Sequence, residues 1–482
     1  MRPGRQWWIV LAMTTLRIPP NDRTILAELR AAMAGDVLSP ETPEYDEVRR
    51  VWNGAIDRYP AVIARCTSAS DVSAAIRFAR RHDLLISVRG GGHSIPGLSV
   101  CDEGMMIDLQ PMKNVAVDPE RRVAVAEAGV LWGELDRATQ EHGLAVTGGE
   151  VSDTGIAGLT LGGGVGWLKR TFGLTCDNLL AAELVTADGE EVRASADEHP
   201  DLFWALRGGG GNFGIVTRFT YRLHPVGPML YGGAVVHPGE RAGEVLRLVR
   251  ELSEQVPDEV SLMVALVVAP PAPQFPEWLH GRPVAVIGAC YVGDLEAGEA
   301  ALLPVREFGS PAVDLLGPIP YVALQQLVDA ATPRGLQYYV KSEWLGGLPD
   351  SVIDALAEHH LMRTSPMHQI LVHQMGGALT RVGRDATAFT YRDASFVLTV
   401  AGAWASPDEP REPHVAWVRS TWEAARPASL GGAYVNHLDA DEGEERVRQA
   451  YGAATYDRLV GVKTAWDPEN VFRLNHNIRP RR

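Results

Sequence analysis

Val72, Ala75, Ile76 and Ala79 recur at helical spacing behind Ser70 or Asp71, either of which is an N-cap type. The pattern predicts a helix closing at Arg80-Arg81. The continuous apolar run Leu84-Leu85-Ile86-Ser87-Val88 follows and reads as a buried strand. Short β-like runs come next at residues 105–109, 115–117 and 123–125, punctuated by Pro111, Asp118 and Pro119. A helix over residues 131–142 is expected to end at Gly143, a normal residue just past a helix C-terminus. Residues 202–206 read as a helix and residues 217–221 as a strand. Alternating helix and strand patterns continue to about Leu430. A last helical pattern over residues 451–464 is stopped by Asp467-Pro468. Mixed helices and short strands of this kind predict an α+β protein. No internal repeat or low-complexity tract interrupts them.

Composition narrows the function classes. A chain of 482 residues, 46% hydrophobic and 22% charged, is long enough for several cores. Lys plus Arg is 45 against 60 for Asp plus Glu, a net charge of -15, which argues against nucleic acid as a partner. The four cysteines, Cys66, Cys101, Cys176 and Cys290, are scattered, so neither a disulfide scaffold nor a structural zinc site is expected. The histidines include no HExxH pair. His359-His360 and His368/His373 lack carboxylates at ligand spacing and read as structural or surface groups, so no metal is expected. The apolar run at residues 7–13 follows Arg2 and Arg5 but is short for a signal peptide, and Met13 offers a second start. No run approaches the ~20 residues of a transmembrane helix. A cytoplasmic protein with no membrane partner is the expectation, with secretion left open by that run. Monomer and homo-oligomer are both open.

Glycine supplies the chemistry. Arg89-Gly90-Gly91-Gly92-His93-Ser94 follows the strand at Leu84 with three residues that have no side chain. Their N–H groups can close on an anion, and the histidine after them would project into whatever the loop cradles. A flexible turn with an incidental histidine fits the same residues. A second region runs from Thr154-Gly155 through Gly158 to Gly162-Gly163-Gly164-Val165-Gly166-Trp167. A third, residues 207–216, contains a literal GxGxxG at Gly209, Gly211 and Gly214. The Rossmann fingerprint needs a strand before it and a helix after it, whereas here the expected order is helix then strand. No Gly-Lys-Ser/Thr follows any cluster, so a P-loop is excluded.

In this order, the three segments, Gly173-Leu174-Thr175-Cys176-Asp177-Asn178, Tyr434-Val435-Asn436 and Asp467-Pro468-Glu469-Asn470-Val471-Phe472-Arg473-Leu474-Asn475-His476-Asn477 resemble the FAD-linked oxidases of the berberine bridge enzyme type. These belong to the vanillyl-alcohol oxidase superfamily, and the chain resembles in particular a mono-covalent flavin variant of the 6-hydroxynicotine oxidase-like bacterial kind. The resemblance runs from about residue 56 to the end. It implies a two-lobed PCMH-type FAD-binding domain over 56–226, an α/β substrate domain with an antiparallel sheet covering the flavin over 227–435, and a segment 436–482 returning to the FAD domain. Residues 1–55 would be an extension and helical lead-in.

The resemblance also assigns residues. His93 would bond covalently to the flavin, which raises the flavin's reduction potential. Arg89, Gly90, Gly91, Gly92, Ser94 and Gly97 would wrap the pyrophosphate. Thr154, Gly155, Gly158, Gly162, Gly164, Gly166, Trp167, Asn178, Gly214, Ile215, Val216, Asn436, Asn475 and Asn477 would complete the FAD site. Many relatives carry a second covalent link through a cysteine where Val151 stands, so one bond through His93 is expected here. Leu159 replaces a histidine found in some relatives. Thr154 aligns near the position that gates oxygen, and its small side chain favours dioxygen as the electron acceptor. Cys176 reads as a small buried residue.

Tyr434 matches a tyrosine that lies over the flavin, and Asn436 would share its face of a strand. The same tyrosine reads equally as a packed aromatic. As a base it needs a lowered pKa, for which Lys341 is a candidate source of charge. Tyr391 stands where several relatives have histidine and is a second catalytic candidate. Tyr338 and Tyr339 are further pocket candidates, and Trp344 and Trp404 read as core. The expected function is an oxidase that moves a hydride from a small organic alcohol, amine or similar C–H site to flavin and releases hydrogen peroxide. A flavin dehydrogenase with another acceptor, and a flavin-binding protein without turnover, are the alternatives.

Overall fold

The computed structural model describes residues 23–481; the run at residues 7–13 and Met13 lie outside the described residues. Three main sheets carry the α+β fold. The first has the order Val37–Leu38, Val62–Arg65, Met105–Asp108, Ile86–Arg89, with the last three strands parallel. Every residue of Met105–Asp108 is buried, as a parallel central strand covered on both faces requires. Val72, Ala75, Ile76 and Ala79 pack on this sheet from the helix Ala69–Arg81. Its cap is Ser68, not Ser70 or Asp71: the Ser68 hydroxyl accepts from the Asp71 N–H at 3.2 Å. The Asp71 carboxylate is instead taken up by the N–H groups of Ala34, Gly35 and Thr67.

The second sheet is antiparallel, in the order Val115–Asp118, Val123–Glu127, Ile215–Arg222, Leu179–Val185, Glu191–Ser195. The helix Pro200–Leu206 precedes the third glycine segment and the strand Ile215–Arg222 follows it, so the GxGxxG there is not a strand-to-helix turn.

The third sheet is large and antiparallel. Its path is Val313–Asp314, Met229–Pro238, Pro283–Tyr291, Val260–Val268, Gln369–Gln374, Phe396–Trp404, Gln337–Leu345. Alternate residues face opposite ways. Leu262, Val264 and Leu266 pack with Leu246, Val249, Ile353 and Trp417 of the covering helices. Met263, Ala265 and Val267 face the opposite side and line a cavity.

The C-terminal helix runs over Ala453–Trp466, close to the pattern at 451–464, and Gly452 at φ +74° separates it from a preceding helix, Glu444–Tyr451. The strand expected at Tyr434 to Asn436 is absent. Val435–His437 is a 3₁₀ turn, and residues 468–481 follow the last helix without regular structure. Among the described residues no helix is long and apolar enough to cross a membrane. No group of three or more metal-ligating side chains among them could hold a metal ion.

Candidate functional site

The cavity, about 1030 Å³, lies between the glycine loops and the inner face of the third sheet. The loops can approach because they are glycine. A Cβ on Gly91 would stand 2.2 Å from the Gly155 nitrogen, and one on Gly155 the same distance from that of Gly91. Gly92 takes φ +75°. No hydrogen bond among the described residues uses the N–H groups of Gly91, Gly92, His93 or Ser94, so these donors are free for an anion. Gly158 and Gly211 open onto the cavity, with nothing within 4 Å of an added Cβ. The Asn475 Oδ1, also on the cavity wall, is buried without a partner among the described residues. Free donors, bare glycines and an unpaired amide oxygen suit a large cofactor with both anionic and hydrogen-bonding groups, such as FAD.

His93 is held among aromatic and charged neighbours. Its ring stacks on Trp52 at 5.2 Å and 19°, and Trp52 stacks on Tyr338 at 3.8 Å and 18°. Nε2 lies 2.7 Å from the Asp153 Oδ1, close but off-line for a hydrogen bond. Burial lowers the His93 pKa, while Asp153 pulls it the other way. Burial alone would raise Asp153; His93 and Arg334 outweigh it and bring the carboxyl down to about 2. Arg334 completes the cluster, with Nε 2.6 Å from the Asp153 Oδ2 and Nη2 2.9 Å from the Gly91 carbonyl.

Tyr434 borders the same cavity and is buried. Its Oη accepts from the N–H groups of Gly164 at 3.0 Å and Val165 at 3.4 Å, and from the Asn436 Nδ2 at 2.9 Å. Asn436 reaches it across the 3₁₀ turn rather than along a strand. Gly162 clears the space, since a Cβ there would stand 2.0 Å from the Asn436 Oδ1. Burial pushes Tyr434 up to about 12, and the three donors moderate the rise. Lys341 is not its cation: the ammonium is bound by Asp441 and Glu442 at 2.7 Å each, on the opposite face of its strand. Tyr339 shares that face and donates to the Asp441 carboxylate.

The structure gathers Gly90, Gly91, Gly92, His93, Ser94, Thr154, Gly155, Gly158, Gly214, Ile215, Val216, Tyr434, Asn436 and Asn475 around one cavity. Arg89, Gly97, Gly162, Gly164, Gly166, Trp167, Asn178 and Asn477 stand behind its wall. The Arg89 guanidinium turns away from the loop and pairs with buried Asp108 at 2.7 Å. Gly166 gives way to the Gly148 carbonyl, and Trp167 packs with Leu168, Leu230 and Met263. Asn178 ties its amide to the carbonyls of Phe172 and Leu174. Tyr391 does not reach the cavity. It stacks on Trp344, and its hydroxyl commits its proton to the Gln449 carbonyl at 2.6 Å.

The residues that the motifs miss are Trp52, Glu150, Asp153, Arg334, His373 and His437. His373 is not a surface group: its Nε2 meets the Glu150 Oε2 at 2.9 Å. Burial would raise Glu150, but His373, Lys169 and His437 hold it below the usual range. Burial lowers Lys169 to about 8 and His437 to about 4.

The comparisons with known proteins agree with this geometry. Residues 60–195 match the model of an FAD binding domain, and residues 433–479 match that of the berberine and berberine-like segment. An FAD-linked oxidoreductase of Dictyostelium discoideum is 32% identical over 462 residues, 95% of this chain and 97% of its own. The (R)-6-hydroxynicotine oxidase of Paenarthrobacter nicotinovorans is 29% identical over 466 residues, 93% of this chain and 97% of its own. The crystal structure of 6-hydroxy-D-nicotine oxidase from Arthrobacter nicotinovorans superposes with a TM-score of 0.84 at 27% identity, covering 93% of this chain and 98% of that one. The chain belongs to the FAD-linked oxidoreductases of the berberine bridge enzyme type.

Proposed function

We propose that the protein is an oxidase: it removes a hydride and a proton from a small, largely apolar organic molecule and passes the electrons to dioxygen, releasing hydrogen peroxide. The carrying observation is the continuity of one cavity from the free N–H groups beside His93 to the apolar inner face of the third sheet, with Tyr434 on its wall. FAD supplies the hydride acceptor and the electron carrier. Gly91 to Ser94, Thr154, Gly155, Gly158, Gly214 to Val216 and Asn475 would hold it. His93 would carry the single covalent bond, and Val151, also on the cavity wall, has no thiol to make a second. On this reading the FAD domain is 56–226 with 436–482 returning to it, and 227–435 is the substrate domain. Trp52 and Asn53, ahead of residue 56, join the site: Asn53 donates to the carbonyls of Ile95 and Tyr338.

Tyr434 handles the substrate proton. With its pKa near 12 the phenol is protonated around neutrality and donates to a substrate oxygen or nitrogen. It accepts a proton only after ionising, and the three N–H donors at Oη then hold the phenolate. The experiment is an intact mass and in-gel flavin fluorescence of the denatured protein beside His93→Ala, with peroxide release scored on small alcohols and amines in air. A mass increase of one FAD that His93→Ala abolishes, together with peroxide, is the expected result. No flavin retained after denaturation overturns the covalent assignment, and flavin reduction without peroxide overturns the oxidase reading.

A further inference from the structure

Among the described residues lining the cavity, one carries a formal charge outside the histidines: Glu150. It comes from the loop after Gly149, beside Val151 on the FAD side. Its partner His373 comes from the strand Gln369–Gln374 on the sheet side. The pair is deeply placed, with 12% of the Glu150 side chain and 8% of the His373 side chain exposed. Among the described residues two of its atoms have no partner, the Glu150 Oε1 and the His373 Nδ1.

The hydrogen-bond inventory decides what those atoms want. A carboxylate only accepts, so the proton in the Glu150–His373 contact sits on the His373 Nε2. The open Glu150 Oε1 therefore calls for a donor, and it belongs to an anion, while the ring nitrogen Nδ1 can accept or donate. Lys169 offsets that charge from behind the wall, its Nζ 3.4 Å from the Gly166 carbonyl, and does not line the cavity. The surroundings on the sheet are mostly apolar, among them Met263, Ala265, Leu371 and Val397, and the polar groups there are already engaged, Thr399 with the His437 Nδ1 and the Gln369 amide with the Ala331 carbonyl, a poor match to a ring of sugar hydroxyls.

We infer that Glu150 and His373 form the specificity-determining anchor of this cavity and that the substrate it takes is an apolar molecule with a basic nitrogen, held as the primary or secondary ammonium. An ammonium brings both the charge and the donor that the Glu150 Oε1 lacks, and its hydrocarbon part lies on the sheet. The inference rests on the oxidase reading for the meaning of "substrate", but its test does not need turnover.

The probes are benzylamine, benzyl alcohol and benzyltrimethylammonium, titrated into the flavin-loaded enzyme by calorimetry at pH 7.5. The wild type is expected to bind benzylamine at least about tenfold more tightly than benzyl alcohol, with benzyltrimethylammonium, which has charge but no donors, in between. Glu150→Gln should lose the preference while keeping its affinity for benzyl alcohol within about threefold. Equal binding of the three probes by the wild type overturns the inference, whether or not the variant folds. A folded Glu150→Gln that keeps the preference also overturns it, leaving the pair as a strut between loop and sheet. Should the wild type show the preference while no amine ever bleaches the flavin, the anchor stands and the oxidase reading fails.

Discussion

Replacing Lys463 by Met should loosen the C-terminal segment from the FAD side of the molecule. Lys463 and Asp467 lie one turn apart at the end of the last helix, both fully buried, with Nζ 2.6 Å from Oδ2. Nζ also donates to the carbonyls of Asn212 at 2.8 Å and Phe472 at 2.9 Å. Asp467 accepts in addition from the N–H groups of Val471 at 2.7 Å and Phe472 at 2.9 Å. This knot fixes the turn into the segment that brings Leu474, Asn475 and His476 to the cavity wall. Methionine keeps the length and removes the charge. Breaking one partner of a buried pair costs about 3–5 kcal/mol, and the two backbone donors left on Asp467 place this case at the low end, about 3 kcal/mol. Spread over a chain of this length, with about 2.1 cal/mol/K of unfolding entropy per residue, that is a melting shift of only about 3 °C. Local opening is the sharper readout, since about 3 kcal/mol corresponds to roughly a 150-fold change in an equilibrium constant at 1.36 kcal/mol per decade. Hydrogen exchange of peptides covering 468–480 should therefore accelerate by about two orders of magnitude, while the strand Val260–Val268 stays protected. Lys463→Met/Asp467→Leu, which removes both charges, should recover part of the loss. Exchange in 468–480 within about threefold of wild type in Lys463→Met would refute the reasoning.

Three further outcomes are expected. The rate of flavin reduction by substrate should rise with pH between about 7 and 10, because ionisation of Tyr434 supplies the acceptor; Tyr434→Phe should lower the rate by about 10²–10⁴ and flatten that rise. An unchanged slope in the variant removes Tyr434 from proton transfer. Arg334→Met should lower the fraction of covalently attached flavin several-fold, read by gel fluorescence against total bound flavin, since it frees both Asp153 and the Gly91 carbonyl. Its partly exposed ion pair should cost stability no more than about 1 kcal/mol. Burial pushes both His360 and His368 down to about 3, so each is neutral in the fold and charges first when unfolded. Stability contributed by these neutral rings is complete above pH 6.5 and falls towards pH 3, by about 1.36 kcal/mol per pH unit for each. The urea midpoint should drop between pH 6.5 and 4, and less steeply in His368→Gln; equal slopes would contradict it.

What could be read in the chain alone follows from how far apart the interacting residues lie. The anion loop was legible although Gly91 and Gly155 lie far apart in the chain, because each side of their close approach shows itself as glycine. Caps were less legible, since Asp71 is a good N-cap type but its carboxylate is spent on Ala34 and Gly35, more than thirty residues upstream. The Glu150–His373 contact spans 223 positions and has no local signature at all. One part of the missing site nevertheless follows from strand parity. In Gln337–Leu345, Tyr338 and Val340 face the cavity, so Tyr339 and Lys341 must face away, and no strand could have offered Tyr338, Tyr339 and Lys341 to one pocket. The same parity places His373 inward. It pairs with Met263 on one side and Val397 on the other, as Leu371 pairs with Ala265 and Thr399, and all six line the cavity. A charged or titratable residue in phase with the small apolar side chains of such a ladder is therefore the one to examine. On this sheet that rule selects His373, and through it the carboxylate that the motifs pass over.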